Sequence, residues 1–195
     1  KKSRTWVIKQ HRDQFFKKSK TLGYRSRSAF KLIELNKKFR FIKKDSNLID
    51  IGSCPGGWSQ VSRNIIKSGK IVSLDLKLMQ NIEGVKFIHD DFLNTSAKDK
   101  ILIFLKNKVD IVISDMAADT TGNKNLDCIR TNQLSAEVIN FSSKILMSTG
   151  TVVAKLFMGE DFLYVKDLAK KKFKKVEFFK PESSRSESKE TYIHC

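Results

Sequence analysis

The sequence contains few cysteines and no long apolar run, and both shortages exclude classes of protein. Its three cysteines, Cys54, Cys128 and Cys195, have neither metal-site spacing nor an even-numbered disulfide framework, so we expect no bound metal and a reducing compartment. No apolar stretch approaches the length of a membrane span or resembles the core of a signal peptide. We therefore predict a cytoplasmic protein that does not bind membranes. Because the chain begins with Lys1 rather than Met, an organellar or nuclear leader stays open.

Acidic residues are scarce in the first part of the chain. Residues 1–44 hold 16 Lys and Arg against two acids, a net charge of +14, whereas the other 151 residues have a net charge of +3. A basic arm on a nearly neutral body is typical of a protein that binds a polyanion. A general lysine bias is the alternative, but it does not explain why five of the eight arginines lie here. We predict RNA as the partner, with contacts from Arg4, Arg12, Lys17, Lys18, Lys20, Arg25 and Arg27.

The chain of 195 residues is long enough for one α/β domain and contains no internal repeat. We predict a basic N-terminal arm over 1–23, a single domain over 24–195 and a monomeric protein. Residues 118–130 are polar and lack periodicity, so we expect them to form a loop over the site. Helices are predicted over about 26–39 (with Ser26 or Ser28 as its cap), 59–67, 97–107, 131–148 and 160–172, and strands from about 48, 70, 85, 109, 151, 176 and 190.

Residues 48–60 are the stretch around which the other motifs are organised. An apolar run with branched side chains predicts a buried strand, and the glycines that follow allow a sharp turn and close approach of a ligand. Ser59 is a candidate cap for the next helix. A plain strand–turn–helix connection is the alternative. The dinucleotide fingerprint G-x-G-x-x-G is absent, because Cys54 stands at its second glycine, and this disfavours an NAD enzyme.

Charged side chains follow or interrupt three of the predicted strands. Asp75 ends the second strand, where a carboxylate can accept hydrogen bonds from both hydroxyls of a ribose; a helix cap or a solvated strand end is the alternative. Asp115 ends the fourth strand, where a desolvated carboxylate needs a partner or a task. Lys155 lies within an apolar strand, so its ammonium group must reach water or an acid. We predict that Lys155 pairs with Asp115.

The order of these motifs resembles that of the FtsJ/RrmJ ribose 2'-O-methyltransferases. The matching segments are Gly-Ser-Cys-Pro-Gly-Gly-Trp from Gly52, Ser-Asp-Met-Ala from Ser114, and Ser-Ser-Arg-x-x-Ser-x-Glu ending at Glu190. The resemblance implies a class I S-adenosylmethionine-dependent, Rossmann-like α/β fold: a seven-stranded, mostly parallel sheet with an antiparallel last strand and helices on both faces. It implies S-adenosylmethionine as cofactor, with S-adenosylhomocysteine as product. The implied cofactor residues are Gly52, Ser53, Cys54, Pro55, Gly56, Gly57, Trp58, Asp75, Leu76, Asp91, Phe92 and Asp115.

The same resemblance implies a catalytic tetrad of Lys31, Asp115, Lys155 and Glu190. The segment Arg-Ser-Arg-x-x-Phe-Lys-Leu, which contains Lys31, is similar to the N-terminal lysine segment of the family. Our hypothesis gives Lys155 the role of base or of steering the hydroxyl, with Asp115 orienting it. Lys31 and Glu190 would position the ribose. Which lysine acts as base stays open.

We therefore expect an enzyme that methylates a ribose 2'-hydroxyl in RNA. The chain is most similar to the bacterial ribosomal form of the family, which implies a uridine in large-subunit ribosomal RNA as the target. A tRNA or mRNA-cap ribose methyltransferase is the alternative within the class, since the tetrad is shared. A non-catalytic RNA-binding protein of ribosome assembly is the alternative from another class, and an NAD oxidoreductase is the least favoured interpretation.

Overall fold

The computed structural model describes residues 13–195, which form alternating strands and helices. The strands are β1 (Leu48–Ile51), β2 (Ile71–Asp75), β3 (Val85–His89), β4 (Val109–Ser114), β5 (Leu146–Phe157), β6 (Glu177–Phe179) and β7 (Glu190–His194). The helices are α1 (Gln14–Thr21), α2 (Ser28–Phe39), α3 (Gly57–Ile65), α4 (Thr95–Leu105), α5 (Lys124–Ile145) and α6 (Phe162–Lys172).

The strands form one seven-stranded sheet in the order β3-β2-β1-β4-β5-β7-β6. Strands β1 to β5 pair in parallel, whereas β7 runs antiparallel to both β5 and β6. One hydrophobic core contains buried residues of α4, α5 and α6, and a second contains buried residues of α2 and α3. Helices therefore cover both faces, and the predicted fold class is confirmed.

Pairing in the middle of the sheet brings the ends of three strands to one edge. All four residues of β1 are buried, as a strand covered on both faces requires. Ile51, the last residue of β1, pairs with Leu74 of β2 and Ser114 of β4. The residues that come next in the chain, Gly52, Asp75 and Asp115, are thus neighbours at the carboxyl edge.

Three predicted helix boundaries are wrong. Helix α5 begins at Lys124, within the segment 118–130 that we expected to be a loop, because the Asn123 side chain accepts hydrogen bonds from the first backbone N–H groups of the helix. It ends at Ile145, and β5 starts at once, so Thr149 and Gly150 lie in a strand and do not stop a helix. The predicted cap Ser59 lies inside α3, whose N-cap is Gly56.

The cap predicted for α2 is also wrong, since its N-cap is Arg27, which makes no side-chain cap hydrogen bond. The hydroxyls of Ser26 and Ser28 bond to each other at 2.7 Å. Helix α1 covers part of the predicted arm, and its Phe15 ring lies 5.5 Å from the ring of Phe30 in α2. Arg4 and Arg12 lie outside the described residues. No helix within residues 13–195 is long and apolar enough to cross a membrane.

Candidate active site

A cleft of about 720 Å³ opens at the carboxyl edge of the sheet. Its walls come from the segments that follow β1, β2, β3 and β4, together with the side of α5 that faces them. The predicted cofactor residues that line it are Gly52, Cys54, Asp75, Leu76, Asp91, Phe92 and Asp115.

Gly52 has a backbone conformation that the site requires. Its φ of +75° lies in the left-handed region, and a Cβ there would come within 2.1 Å of the Cγ atom of Met116. Met116 follows Asp115 in the chain and lines the same cleft. A glycine at position 52 thus lets the turn after β1 pack against the segment that follows β4.

Asp75 already holds part of the cleft wall through its carboxylate. One oxygen accepts a hydrogen bond from the Cys54 N–H at 2.8 Å, and the other accepts one from the Lys77 N–H at 2.7 Å. A carboxylate oxygen can accept more than one hydrogen bond, so both oxygens retain capacity for the two hydroxyls of a ribose. The remaining acceptor capacity of Asp75 therefore fits the two ribose hydroxyls of a nucleoside cofactor.

Two more cofactor candidates border the cleft after β3. Asp91 lines it and accepts a hydrogen bond from the Leu93 N–H at 2.9 Å. Phe92 also lines it, but its side chain is buried, with the ring 5.5 Å from that of Phe141 and the ammonium group of Lys98 above it. The Phe92 ring therefore belongs mainly to the core.

The second half of the glycine segment does not line the cleft. A Cβ on Gly57 would lie 2.3 Å from the hydroxyl oxygen of Ser26, and the Pro55 carbonyl accepts a hydrogen bond from Arg25. The Trp58 ring is buried in the α2–α3 core, and its indole N–H donates to the Ser28 carbonyl at 2.8 Å. The glycine pair Gly56-Gly57 and Trp58 thus contact the N-terminal segment and do not line the cleft, and their role as cofactor residues stays a prediction. Ser53 is buried, and its hydroxyl has no hydrogen-bond partner among the described residues.

The predicted ion pair between Lys155 and Asp115 is present. The ammonium nitrogen of Lys155 lies 3.2 Å from the Asp115 carboxylate and donates to the Asp115 carbonyl at 2.6 Å. Both side chains are largely buried, at 8% and 17% exposure. Asp115 lines the cleft wall, and Lys155 reaches it from the neighbouring strand because β4 and β5 are adjacent and parallel.

A second ion pair, between Lys31 and Glu190, lies beside the first. The Lys31 ammonium is 2.7 Å and 2.8 Å from the two carboxylate oxygens of Glu190. Ser184 donates a further hydrogen bond to Glu190 at 2.7 Å. The structure therefore brings together all four residues of the predicted tetrad as two largely buried lysine–acid pairs.

Tyr192 connects the two pairs and was not among the predicted site residues. Its hydroxyl donates to the Asp115 carboxylate at 2.6 Å, and Lys31 lies over its ring at 5.8 Å. On β7, Tyr192 follows Glu190 by two residues, so both side chains lie on the same face of the sheet. That spacing is the signal that could have identified it.

The pKa values of these groups follow from burial and from the two lysines. Burial would raise the pKa of Asp115, but the charges of Lys155 and Lys31, together with the Tyr192 hydroxyl, outweigh it, so the pKa lies below its ordinary value. Burial and the nearby carboxylates of Asp115 and Glu190 raise the pKa of Tyr192 well above its ordinary value. At neutral pH the site therefore contains an ionised Asp115 and a neutral Tyr192 that donates to it.

The predicted RNA-binding residues within the described part of the chain differ in their surroundings. Lys17, Lys18 and Lys20 lie on α1 and are exposed. Arg25 donates to the carbonyls of Gln80 and Asn81, both at 2.7 Å. Arg27 pairs with Asp13 and donates to the Ser183 carbonyl. Both arginines thus already have partners within the protein. Residues 13–195 contain no group of three or more His, Cys, Asp or Glu side chains that could hold a metal ion.

Comparison with known proteins relates this geometry to a family. A model of the FtsJ-like methyltransferases matches residues 24–195. The chain belongs to this family. It is 47% identical to the ribosomal RNA large subunit methyltransferase E of Pelagibacter ubique (strain HTCC1062), over 99% of this chain and 95% of the relative. It is 40% identical to the protein of the same name from Rickettsia akari (strain Hartford), over 98% and 87%.

Solved structures agree with the FtsJ-like assignment. A Plasmodium falciparum protein named as a ribosomal RNA methyltransferase has a TM-score of 0.77 and 33% identity, with 88% of this chain and 97% of that chain covered. A Streptococcus mutans methyltransferase in complex with S-adenosylhomocysteine has a TM-score of 0.55 and 16% identity, over 83% and 94%, and supports the fold alone. Family membership confirms the predicted methyltransferase activity and S-adenosylmethionine as the cofactor. The cleft that contains Gly52 and Asp75 fits that cofactor.

Proposed function

We propose that this FtsJ-like protein transfers a methyl group from S-adenosylmethionine to a ribose 2'-hydroxyl in large-subunit ribosomal RNA, with a uridine as the target. The observation that carries the proposal is the tetrad: Lys31 with Glu190 and Lys155 with Asp115 meet beside a cleft that fits the cofactor. The sequence relatives named above carry names for this substrate class. A ribose hydroxyl is a weak acid, so its oxygen needs charged groups held in place around it.

Each residue of the tetrad has a role that its contacts support. S-adenosylmethionine supplies an activated methyl group, so the protein has to align the 2'-oxygen and stabilise the negative charge that develops on it. The two contacts of Lys155 go to acceptor atoms of Asp115, and its ammonium group therefore acts as a hydrogen-bond donor. We assign Lys155 to steer the 2'-oxygen and stabilise its charge, Asp115 to orient Lys155, and the Lys31–Glu190 pair to position the ribose. The proton of the 2'-hydroxyl passes to water as the oxygen accepts the methyl group. Asp75 would hold the cofactor ribose.

The substrate assignment is tested by methyl transfer from labelled S-adenosylmethionine. Unmodified large ribosomal subunits, unmodified tRNA and capped mRNA are offered separately, and the labelled nucleotide is identified by digestion. We expect label on a ribose of large-subunit RNA. Label in tRNA or at the cap would keep the chemistry and overturn the substrate. No label on any RNA, with cofactor still bound, would favour the non-catalytic RNA-binding alternative.

The role of Lys155 is tested by Lys155→Met, which keeps most of the length of the side chain and removes its charge. We expect the rate at saturating substrates to fall by about 10²- to 10³-fold, as when one donor to a developing oxyanion is removed. The dissociation constant for S-adenosylmethionine should stay within about twofold of wild type. Lys170→Ala, at the exposed end of α6, is the control and should retain full activity. Near-normal turnover of the folded Lys155→Met variant would contradict the assignment.

We also propose that the protein acts in the cytoplasm as a monomer. The two relatives named ribosomal RNA large subunit methyltransferase E are bacterial, and they lend no support to an organellar or nuclear leader.

A further inference from the structure

A second cavity, of about 730 Å³, lies beside the tetrad and shares no lining residue with the cofactor cleft. Ser184 lines it and donates a hydrogen bond to Glu190, while Arg27 lines it one helical turn before Lys31. The cavity therefore adjoins the pair that we assign to the substrate ribose. Its charged residues are Asp13, Arg27, Lys180, Glu182, Arg185 and Glu187.

The Asp13 carboxylate lies between the guanidinium groups of Arg27 and Arg185. Asp13 forms an ion pair with Arg27 through the oxygen that also lies 3.8 Å from the Nε atom of Arg185. Its other oxygen caps α1 by accepting hydrogen bonds from the N–H groups of Phe15 and Phe16, at 3.0 Å and 3.1 Å. A single acidic side chain thus ends α1 and neutralises this arginine pair.

The arginine pair is arranged for an anion even before Asp13 is considered. The Nε atom of Arg27 is buried and has no hydrogen-bond partner among the described residues. Burial and the neighbouring charge of Arg185 lower the pKa of Arg27. A guanidinium group presents a fork of donors that matches carboxylate and phosphate oxygens. Arg27 and Arg185 therefore form a site in which a phosphate group could replace the Asp13 carboxylate.

The charge balance of the cavity fits one phosphodiester. With Asp13 in place, three acidic and three basic side chains line the cavity, so their charges cancel. When the Asp13 carboxylate leaves, the lining has a net charge of +1, which equals the charge of one RNA phosphate in size and is opposite in sign. In RNA every ribose is flanked by phosphates, so a ribose held by Lys31 and Glu190 has a phosphate next to it.

We propose that this cavity binds a backbone phosphate adjacent to the methylated ribose, and that Asp13 occupies the phosphate position until RNA displaces it. This inference rests on the proposed function, since it identifies how the same site holds its RNA. It makes Asp13 an internal competitor of the substrate. It also makes Arg185 a substrate-positioning residue, although it lies well outside the basic segment 1–44.

Asp13→Asn tests the competition, because asparagine still caps α1 but no longer neutralises the arginine pair. Its control is Asp99→Asn, an exposed residue of α4 that gives the same change in net charge. With the full chain and large-subunit RNA, we expect Asp13→Asn to tighten binding by about 3- to 10-fold more than the control does. RNA affinity equal to that of Asp99→Asn, or weaker, would overturn the proposal.

Arg185→Gln tests the phosphate contact itself. Its control is Lys108→Gln, which also removes one positive charge but precedes β4 and so lies at the opposite edge of the sheet. We expect Arg185→Gln to weaken RNA binding by about 10-fold and to make the slope of log affinity against log salt shallower by about 0.7 to 0.9. The affinity for S-adenosylmethionine should not change. An effect on RNA binding no larger than that of Lys108→Gln would overturn the proposal.

The two variants also separate this inference from the proposed function. If the wild-type protein methylates large-subunit RNA but both variants behave like their controls, the phosphate site is wrong and the function stands. If wild type methylates no ribosomal RNA, the proposed function fails first, and binding to the RNA that is methylated then becomes the test of the cavity.

Discussion

At the scale of single residues, Asp50 is a buried acid that takes no part in the proposed catalytic mechanism. It lies in the middle of β1, is 1% exposed, and accepts a hydrogen bond from the Ser59 hydroxyl at 2.6 Å. Ser59 in turn contacts the Ser73 hydroxyl at 2.7 Å. Burial raises the pKa of Asp50 to about 7, although the hydrogen bond from Ser59 works in the other direction. Asp50 therefore holds a proton well above the pH at which an exposed Asp releases it.

This predicts an unusual pH dependence of stability for an aspartate. In the unfolded chain Asp50 ionises near 3.8, and in the folded protein near 7, so the folded state binds more protons between these values. Its contribution is therefore favourable at low pH and is lost as the pH rises from about 4 to about 7, by roughly 4 kcal/mol in total. Asp50→Asn cannot titrate and should remove this loss.

Urea unfolding at pH 5 and pH 8 measures the effect. The free energy of unfolding of Asp50→Asn, relative to wild type, should be clearly higher at pH 8 than at pH 5. Asp45→Asn, an exposed substitution with the same charge change, is the control. If the difference between Asp50→Asn and wild type is equal at both pH values, Asp50 does not titrate in this range.

Residue-scale chemistry could be predicted where a side chain conflicts with its surroundings in the sequence. Lys155 stands in an apolar run, so its ammonium group had to reach water or an acid, and the structure supplies Asp115. Tyr192 presents no such conflict, because a tyrosine in an apolar strand is common, and only its two-residue spacing from Glu190 pointed to the site. Asp50 does interrupt the apolar run of β1, but the Ser59 hydroxyl that bonds to it is visible only in the structure.

At the scale of elements, Arg25 fastens the segment after β2 to the N-terminal side of the domain. Its guanidinium group donates to the carbonyls of Pro55, Gln80 and Asn81, and its backbone N–H donates to Gln60. The same post-β2 segment supplies Leu76 to the cofactor cleft. These contacts favour a role in shaping the cofactor site, alongside the predicted contact with RNA.

We therefore expect Arg25→Gln to weaken cofactor binding. Each lost charge-assisted hydrogen bond frees part of the segment after β2. We expect the dissociation constant for S-adenosylmethionine to rise by about 5- to 10-fold, which corresponds to about 1 to 1.4 kcal/mol. Turnover at saturating cofactor should be largely retained. Lys37→Gln, an exposed charge removal on α2, is the control, and calorimetry gives both affinities. A loss of RNA affinity with normal cofactor affinity would identify Arg25 as an RNA contact instead.

Elements were predictable where the hydrophobic pattern was unambiguous and less so where short polar signals decide. The alternation of strands and helices through β4 follows apolar runs and came out nearly in place. The start of α5 depends on a single cap, Asn123, in a stretch without apolar periodicity. The end of α5 was misplaced because Gly150 resembled a helix stop but lies within β5. The pairing of β5 with β4 has a register irregularity between Val109 and Ile111.

At the scale of the whole molecule, the N-terminal part should contribute separately to RNA affinity and to stability. Residues 1–12 contain five Lys and Arg and no acid. Residues 13–23 add Asp13 and the ring of Phe15, which bind the rest of the domain. Removing only residues 1–12 should weaken RNA binding, whereas removing 1–23 should in addition lower stability by deleting the contacts of Asp13 and Phe15.

Salt titrations and thermal unfolding of the two truncated proteins check this. For the shorter deletion we expect a salt slope shallower by up to about 3.5, the limit for five single-strand phosphate contacts, with a melting temperature above that of the longer deletion and an unchanged cofactor affinity. An unchanged salt slope would mean that these charges do not contact RNA. Equal melting temperatures for both deletions would mean that Asp13 and Phe15 contribute little to the fold.

Because β7 is the last of the described strands along the chain, it determines when the enzyme can first work. Glu190 is the first residue of that strand, and it reaches the edge where β4 ends only because β7 runs against its neighbours. A ribosome makes β7 after all the other strands described here, and domains fold as the chain emerges. A nascent chain can therefore complete its cofactor cleft before it has Glu190 and Tyr192. Methylation should begin only once β6 and β7 have docked beside β5, so that activity itself reports the folding of this part of the sheet.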